Sequence, residues 1–232
     1  AEWIFVDAQS GEVRFRYPAV TDGRNRFTYN MRAGTNYGRA LLARTETQGP
    51  VTSAASCTAT DVNNAHEYAG HTYDFYFSRF TRDSYNNAGA ALNSYVCYGN
   101  NYQNAFWDGF KMTYGAGFAA ADDVVAHELS HAVTEYTSNL VYSYQSGALN
   151  ESFSDIFGEA VDLTNGSGND AAGVRWDMGE NIPGIGAIRD MMDPTRFGDP
   201  DRTGSNLYYC GTGDSGGVHI NSGVPNKAFA LM

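Results

Sequence analysis

The stretch His127-Glu128-Leu129-Ser130-His131 decides how the rest of the chain is read. Histidines at i and i+4 lie one above the other on a helix, so both imidazoles reach a single ion. About three turns of one helix, Asp123 to Glu135, would carry the motif. Glu128 points near the same site without being needed as a ligand, and is free to take a proton from water polarised by a metal. In a chain with five histidines, the pattern arises by chance in roughly 0.3% of shuffled sequences. It therefore needs a third ligand.

Glu151 is the candidate. The run from Gly147 to Asp155 opens a second helical pattern, with Leu149, Phe153, Ile156, Phe157 and Ala160 recurring at helical spacing. Glu151 and Asp155 stand one turn apart on its other face. Two His and one Glu form a catalytic zinc set that leaves a fourth position for water. A ligating His usually donates its second ring N–H to an outer carboxylate, the place Asp155 would take. Two acids on a helix are more often a solvated face, but following an H-E-x-x-H the metal reading is preferred. His66 and His71 fail the same test. Five positions apart, they diverge by about 140° around a helix and cannot share an ion, so they are read as surface or packing residues.

HELSHAVTE (127–135), Tyr142, SGALNESFSDIFGE (146–159) and GDSGGVHINSG (213–223) resemble, in order, the signatures of the thermolysin family of zinc metallopeptidases. A weaker likeness runs upstream through YDFYFSRFTRDSYNNAG (73–89). The resemblance implies an α+β fold: a β-rich N-terminal lobe, then zinc-binding helices, then a helical C-terminal lobe that is truncated here. It implies one catalytic zinc held by His127, His131 and Glu151, with Glu128 as general base and Asp155 orienting His127. Tyr142 and His219 match the residues that stabilise the tetrahedral intermediate, and Asp214 matches the partner of that histidine. Asn104, Ala105 and Arg189 match positions that hold the substrate backbone. Val124, Ile182 and Ile188 match the apolar pocket for the residue after the scissile bond, which would favour bulky apolar side chains there.

The chemistry of the residues agrees. Zinc brings the pKa of a bound water near 7, beside a carboxylate able to accept the proton and pass it to a leaving amine. The developing oxyanion needs further donors, and a phenol with an imidazolium would serve. Taken alone, Tyr142 is one tyrosine of sixteen and carries no signal. His219 is better marked, because Gly213-Asp214-Ser215-Gly216-Gly217 before it reads as a tight turn presenting a side chain.

Four acids match the family's calcium ligands: Asp123, Asp162, Asp177 and Glu180. Asp162 falls three helical turns after Glu151 on the same face. Hard oxygen ligands gathered from several segments are what calcium requires. Arg175 stands where members with two calcium ions place an aspartate, so one structural calcium is expected.

A formal net charge of −11 and a pI near 4.7 exclude nucleic acid and anionic membranes as natural partners. No run of eighteen apolar residues is present, so no membrane helix is expected. Peptide and protein substrates, the chain's own propeptide, a monomeric state and a secreted, extracellular location complete the expectation. Cys57 and Cys97 could form a disulfide in an oxidising compartment, and Cys210 is left over. The opening residues lack the basic-then-apolar pattern of a signal peptide. Trp3 to Val13 reads as strand, turn at Gln9–Gly11, strand, and resembles the last hairpin of a family propeptide. Residues 1–13 are thus expected to be a propeptide remnant, 14–136 the β-rich lobe ending in the zinc helix, and 137–232 an incomplete helical lobe. Strands are expected through 23–112 apart from a helix near 62–79, with a hairpin turning at Asp108-Gly109. Asp122 or Asp123 is expected to cap the zinc helix. Two rival readings are a zinc exopeptidase sharing the H-E-x-x-H, and a metal-binding fragment without a finished cleft.

Overall fold

The structure, a computed structural model, describes residues 2–6, 10–11, 13–18 and 23–232. β1 (Glu2–Val6) and β2 (Val13–Pro18) form an antiparallel hairpin; Gln9 of the expected turn lies outside the described residues. The second strand runs past residue 13, on to Pro18.

A five-stranded mixed sheet follows, in the order β4 (Leu41–Thr45), β3 (Arg26–Asn30), β5 (Leu92–Val96), β7 (Met112–Tyr114), β6 (Ala105–Trp107). β3, β5 and β7 are parallel; β4 and β6 are antiparallel edges. β3 and β5 alternate buried and half-buried positions, the period of a sheet with one face on a core. That face packs on helix α1 (Ala59–Phe80) and helix α2 (Asp122–Glu135), around Val62, Tyr73, Leu92, Val96, Met112, Tyr114 and Val125. Each such apolar side chain, fully buried, contributes roughly 1.5–3 kcal/mol. The β-rich lobe followed by helices gives the expected α+β class.

Local chemistry sets the boundaries. Thr58 caps α1: its hydroxyl accepts from the Asp61 N–H at 3.0 Å and donates to the Asp61 carboxylate at 2.6 Å. The other Asp61 oxygen accepts from the Gly117 N–H at 2.8 Å, tying α1 to the connection that enters α2. A disulfide joins Cys57, before the cap, to Cys97 at the end of β5, closing a 40-residue separation; such a loop is worth roughly 3–4 kcal/mol. Cys210 is free and exposed. The β6–β7 turn is the expected one. Asp108 accepts from the N–H groups of Phe110 and Lys111 at 3.0 Å each, and Gly109 takes φ +94°, which glycine alone adopts without strain.

The cap of α2 differs from expectation. Ala121, in extended conformation, holds the N-cap position, and Asp122 and Asp123 are buried inside the first turn. They keep the favourable end of the helix dipole but serve a different structure, described below. α3 (Tyr144–Asn165) packs along α2, and beyond it lie β8 (Asp177–Met178), β9 (Arg189–Asp190), α4 (Asp214–Asn221) and α5 (Gly223–Ala230).

His66 is a packing histidine, one of the two roles its sequence left open. It is buried on α1, its Nδ1 3.0 Å from the Thr28 hydroxyl of β3. Burial, then the charges of Arg26 and Arg44, push it down from 6.5 to about 4. The unfolded chain therefore takes up a proton between about pH 6.5 and 4 that the folded chain refuses, so stability falls as pH drops through that window. The contribution is up to about 3 kcal/mol. His66→Gln should flatten the pH dependence of urea unfolding over this range, and an unchanged slope would refute the assignment.

Candidate metal centre and active-site cleft

α2 and α3 bring three ligating side chains to one point. The Nε2 atoms of His127 and His131 face each other at 3.0 Å, and the two Glu151 oxygens each lie 3.4 Å from one of them. One ligand atom from each residue falls within 4.8 Å of the others. Each ring is fixed from behind: His127 Nδ1 lies 2.8 Å from Asp155 Oδ1, and His131 Nδ1 lies 2.7 Å from Asn150 Oδ1. These partners orient Nε2 toward the cluster and raise ligand basicity. Glu151 Oε2 is buried with no hydrogen-bond donor. An unsatisfied carboxylate oxygen converging with two imidazole nitrogens fits a divalent cation taking N and O ligands.

Electrostatics point the same way. Burial alone would raise Glu151, but His131, His127 and His219 hold it well below the usual carboxylate range. Burial would lower His127, yet its contacts with Asp155 and Glu151 lift it to about 10, while burial pushes His131 down to about 4. The cluster thus favours one added positive charge over two. Asp155 is held well down, against burial, by Arg189 and His127. Arg189 donates to both its oxygens, at 2.8 and 2.5 Å, and Asn226 adds a third bond at 2.7 Å.

The triad lies in a cleft of about 670 Å³ between β6 and the helices beyond it. Glu128 lines the cleft beside the triad, and burial pushes its carboxyl from 4.5 to about 7. Across from it, the Tyr142 hydroxyl donates to Glu151 and lies 3.2 Å from His219 Nε2, whose Nδ1 meets Asp214 at 2.5 Å. Four successive left-handed residues, Asp214 to Gly217, turn the chain so that Asp214 also accepts from the His219 N–H at 2.9 Å. At Gly216 a Cβ would sit 2.4 Å from the Tyr144 ring, so glycine is required there by both space and backbone.

Asn104 and Ala105 line the cleft at the exposed edge of β6. Val124 and Ile188 line it too, joined by Phe118 and Met178, which the sequence reading missed; Ile182 does not line it and lies in the core instead. Asn150 was missed as well, and Arg189 is committed to Asp155 while still reaching the cleft wall. Of the four acids matched to calcium, Asp123, Asp162 and Glu180 come together. Burial, then mutual repulsion, raises all three. Asp122 and Glu159 join them, and burial followed by the charges of Asp123 and Glu180 pushes Glu159 up to about 9. Asp177 is engaged elsewhere, by Arg196 at 2.9 Å.

The family described as thermolysin metallopeptidase matches this chain twice: its catalytic domain over residues 14–135 and its alpha-helical domain over 138–232. The chain belongs to the thermolysin metallopeptidase family. It is 44% identical to a bacillolysin of Bacillus cereus and 45% identical to a thermolysin of Alicyclobacillus acidocaldarius, each over 223 residues and 91% of this chain. It spans only 37% and 39% of the length of those relatives. Among solved structures it resembles the precursor of protealysin, a metalloproteinase from Serratia proteamaculans, at TM-score 0.76 and 33% identity, over 95% of this chain and 70% of that one. Thermolysin-family members are zinc-dependent with structural calcium, and His127, His131 and Glu151 supply the zinc-type cluster here.

Proposed function

We propose that the protein is a zinc-dependent endopeptidase cleaving on the amino side of bulky apolar residues. The observation that carries this is the convergence of His127, His131 and Glu151 at a cleft that also holds Glu128 and the Tyr142–His219–Asp214 chain. Zinc held there would supply Lewis-acid polarisation of the scissile carbonyl and of water. Glu128, not needed as a ligand, takes the proton of the attacking water and delivers it to the leaving nitrogen. The Tyr142 hydroxyl and the His219 ring stabilise the oxyanion, with Asp214 on Nδ1 orienting the imidazole toward it. Substrate adds as an extra strand to the free edge of β6, anchored at Asn104 and Ala105. Val124, Ile188, Met178 and Phe118 receive an apolar side chain.

In this reading residues 1–13 are the tail of a propeptide, 14–136 the β-rich lobe and 137–232 part of the helical lobe. The protein is secreted as a zymogen, consistent with the Cys57–Cys97 disulfide. End-blocked peptides with an internal Phe or Leu should be cleaved before that residue, with activity lost to a chelator and restored by stoichiometric zinc. Cleavage of free-amino-terminal peptides alone would favour an exopeptidase. Stoichiometric zinc with no cleavage of either would leave a metal-binding fragment.

A further inference from the structure

Left-handed backbone gathers at one place beside the cleft. Asp214, Ser215, Gly216 and Gly217 take φ +49°, +51°, +92° and +81° in succession, and Tyr144, the first residue of α3, lies against them at φ +49°. A bulky side chain in that region is an outlier. Such a residue persists only where its surroundings hold it there. Tyr144 is 53% exposed, so burial in the core is not what holds it.

Contact with the turn holds it. A Cβ on Gly216 would lie 2.4, 2.6 and 2.8 Å from three carbons of the Tyr144 ring, so the ring rests directly on the backbone of the turn. The Ser143 hydroxyl donates to the Ser215 carbonyl at 3.3 Å, and the Tyr142 hydroxyl lies 3.2 Å from His219 Nε2. Three consecutive residues thus touch the segment that carries His219. Tyr209 holds the turn from the other side. Its hydroxyl accepts from the Gly213 N–H at 3.0 Å, and its ring would meet a Cβ on Gly217 at 2.7 Å. The backbone of Tyr209 is fixed in turn by two hydrogen bonds of 2.9 Å to the Asn221 side chain.

We infer that Tyr144 is a positioning residue: its ring clamps the Asp214–Gly217 turn against Tyr209 and so fixes the His219 imidazole relative to the Tyr142 hydroxyl. Asp214 opens the turn and meets both the N–H and the ring of His219, so a shift of the turn moves carboxylate and imidazole together. Gly147 of α3 leaves room for Val218, which a Cβ there would approach within 2.4 Å, so the helix and the His219 segment also touch beside the ring. Glycine or asparagine at position 144 would take the left-handed backbone at lower cost. Tyrosine gives up that ease for a ring that reaches Gly216. Oxyanion stabilisation depends on groups fixed before the reaction, and a misplacement of about 1 Å can cost about a hundredfold in rate. The inference rests on the reading of His219 as an oxyanion-side group.

Tyr144→Asn removes the ring and keeps a residue that tolerates left-handed backbone, whereas Tyr144→Phe keeps the ring and loses only the hydroxyl. Histidine ring signals of the zinc-loaded protein are followed by NMR, alongside steady-state kinetics on an end-blocked peptide. In Tyr144→Asn the His219 signals should shift and broaden while those of His127 and His131 stay in place. Its kcat should fall about 10–100-fold, with KM and zinc content held. Tyr144→Phe should match the natural protein in each reading. If Tyr144→Asn does not fold, Tyr144→Gly, which takes the left-handed backbone freely, is read in the same way. Unchanged His219 signals with unchanged kcat in Tyr144→Asn overturn the inference, and so does an equal loss in Tyr144→Phe. A natural protein that binds zinc and cleaves nothing, yet whose His219 signals depend on the Tyr144 ring, sinks the peptidase reading and leaves the positioning role standing.

Discussion

Replacing Glu128 by Gln should leave one zinc per chain and reduce kcat on an end-blocked peptide by about 10²–10⁴-fold, the range general-base catalysis supplies. The substitution conserves volume at a buried position, so the helix and its ligands stay in place. What is lost is the ability to hold a proton between water and the leaving nitrogen. The carboxyl is suited to that exchange because burial raises it to about 7, close to the pH at which it must both accept and release. The sign is fixed by the direction of the shift. Below its folded pKa Glu128 is already protonated and cannot act as base, so kcat/KM falls as pH drops. A cation in the neighbouring cluster favours the carboxylate, which places that acid limb at or below about 7. Zinc content by atomic absorption and steady-state rates across pH decide the matter. Activity within tenfold of the natural protein would remove Glu128 from its role, and loss of zinc would make it a ligand.

The zinc cluster was legible because its signal is local. Two histidines four apart must share a helix face, and Glu151 with Asp155 repeats the same geometry on the next helix, so the sequence pattern alone brings them to one line. Asn150 carried no such mark. It adjoins Glu151 and finds His131 only because α3 lies along α2. Phe118 and Met178 were hidden for a related reason. One opens a single 3-10 turn between β7 and α2 and the other sits in a two-residue strand, and neither has a periodicity that predicts which way its side chain turns. Ile182 shows the converse, an apolar residue near the cleft whose loop turns it into the core.

The acids show how a sound local rule can be overridden. An aspartate before a helix is ordinarily a cap, and Asp122 and Asp123 satisfied that rule. Burial of both within the first turn, opposite Asp162, reflects a tertiary demand that no window of a few residues contains. Asp177 likewise looked available until Arg196, nineteen positions later, returned to cover it. The metal-ligand set therefore follows from short-range pattern and the fold class from the family resemblance those motifs carry, whereas the destination of each charge depends on contacts between distant segments.

Asp155→Ala should have the largest effect on stability and should separate two roles that one carboxylate combines. Asp155 is fully buried and receives His127, Arg189 and Asn226 together. Its removal leaves the Arg189 guanidinium buried and uncompensated, a loss of about 3–5 kcal/mol, seen as a fall in melting midpoint of roughly 10 °C. It also frees the His127 ring, which should weaken zinc by about 10–100-fold. Adding Arg189→Leu to Asp155→Ala tests whether these effects are distinct. The double substitution removes the unpaired charge, so part of the stability should return, because a missing pair is cheaper than a broken one. Zinc affinity should not return, since nothing then accepts from His127 Nδ1. Competition with a chromogenic chelator measures the second quantity and calorimetry the first. If both recover together, His127 is oriented through packing around Arg189 and the direct contact of its Nδ1 with Asp155 is not what tunes the ligand.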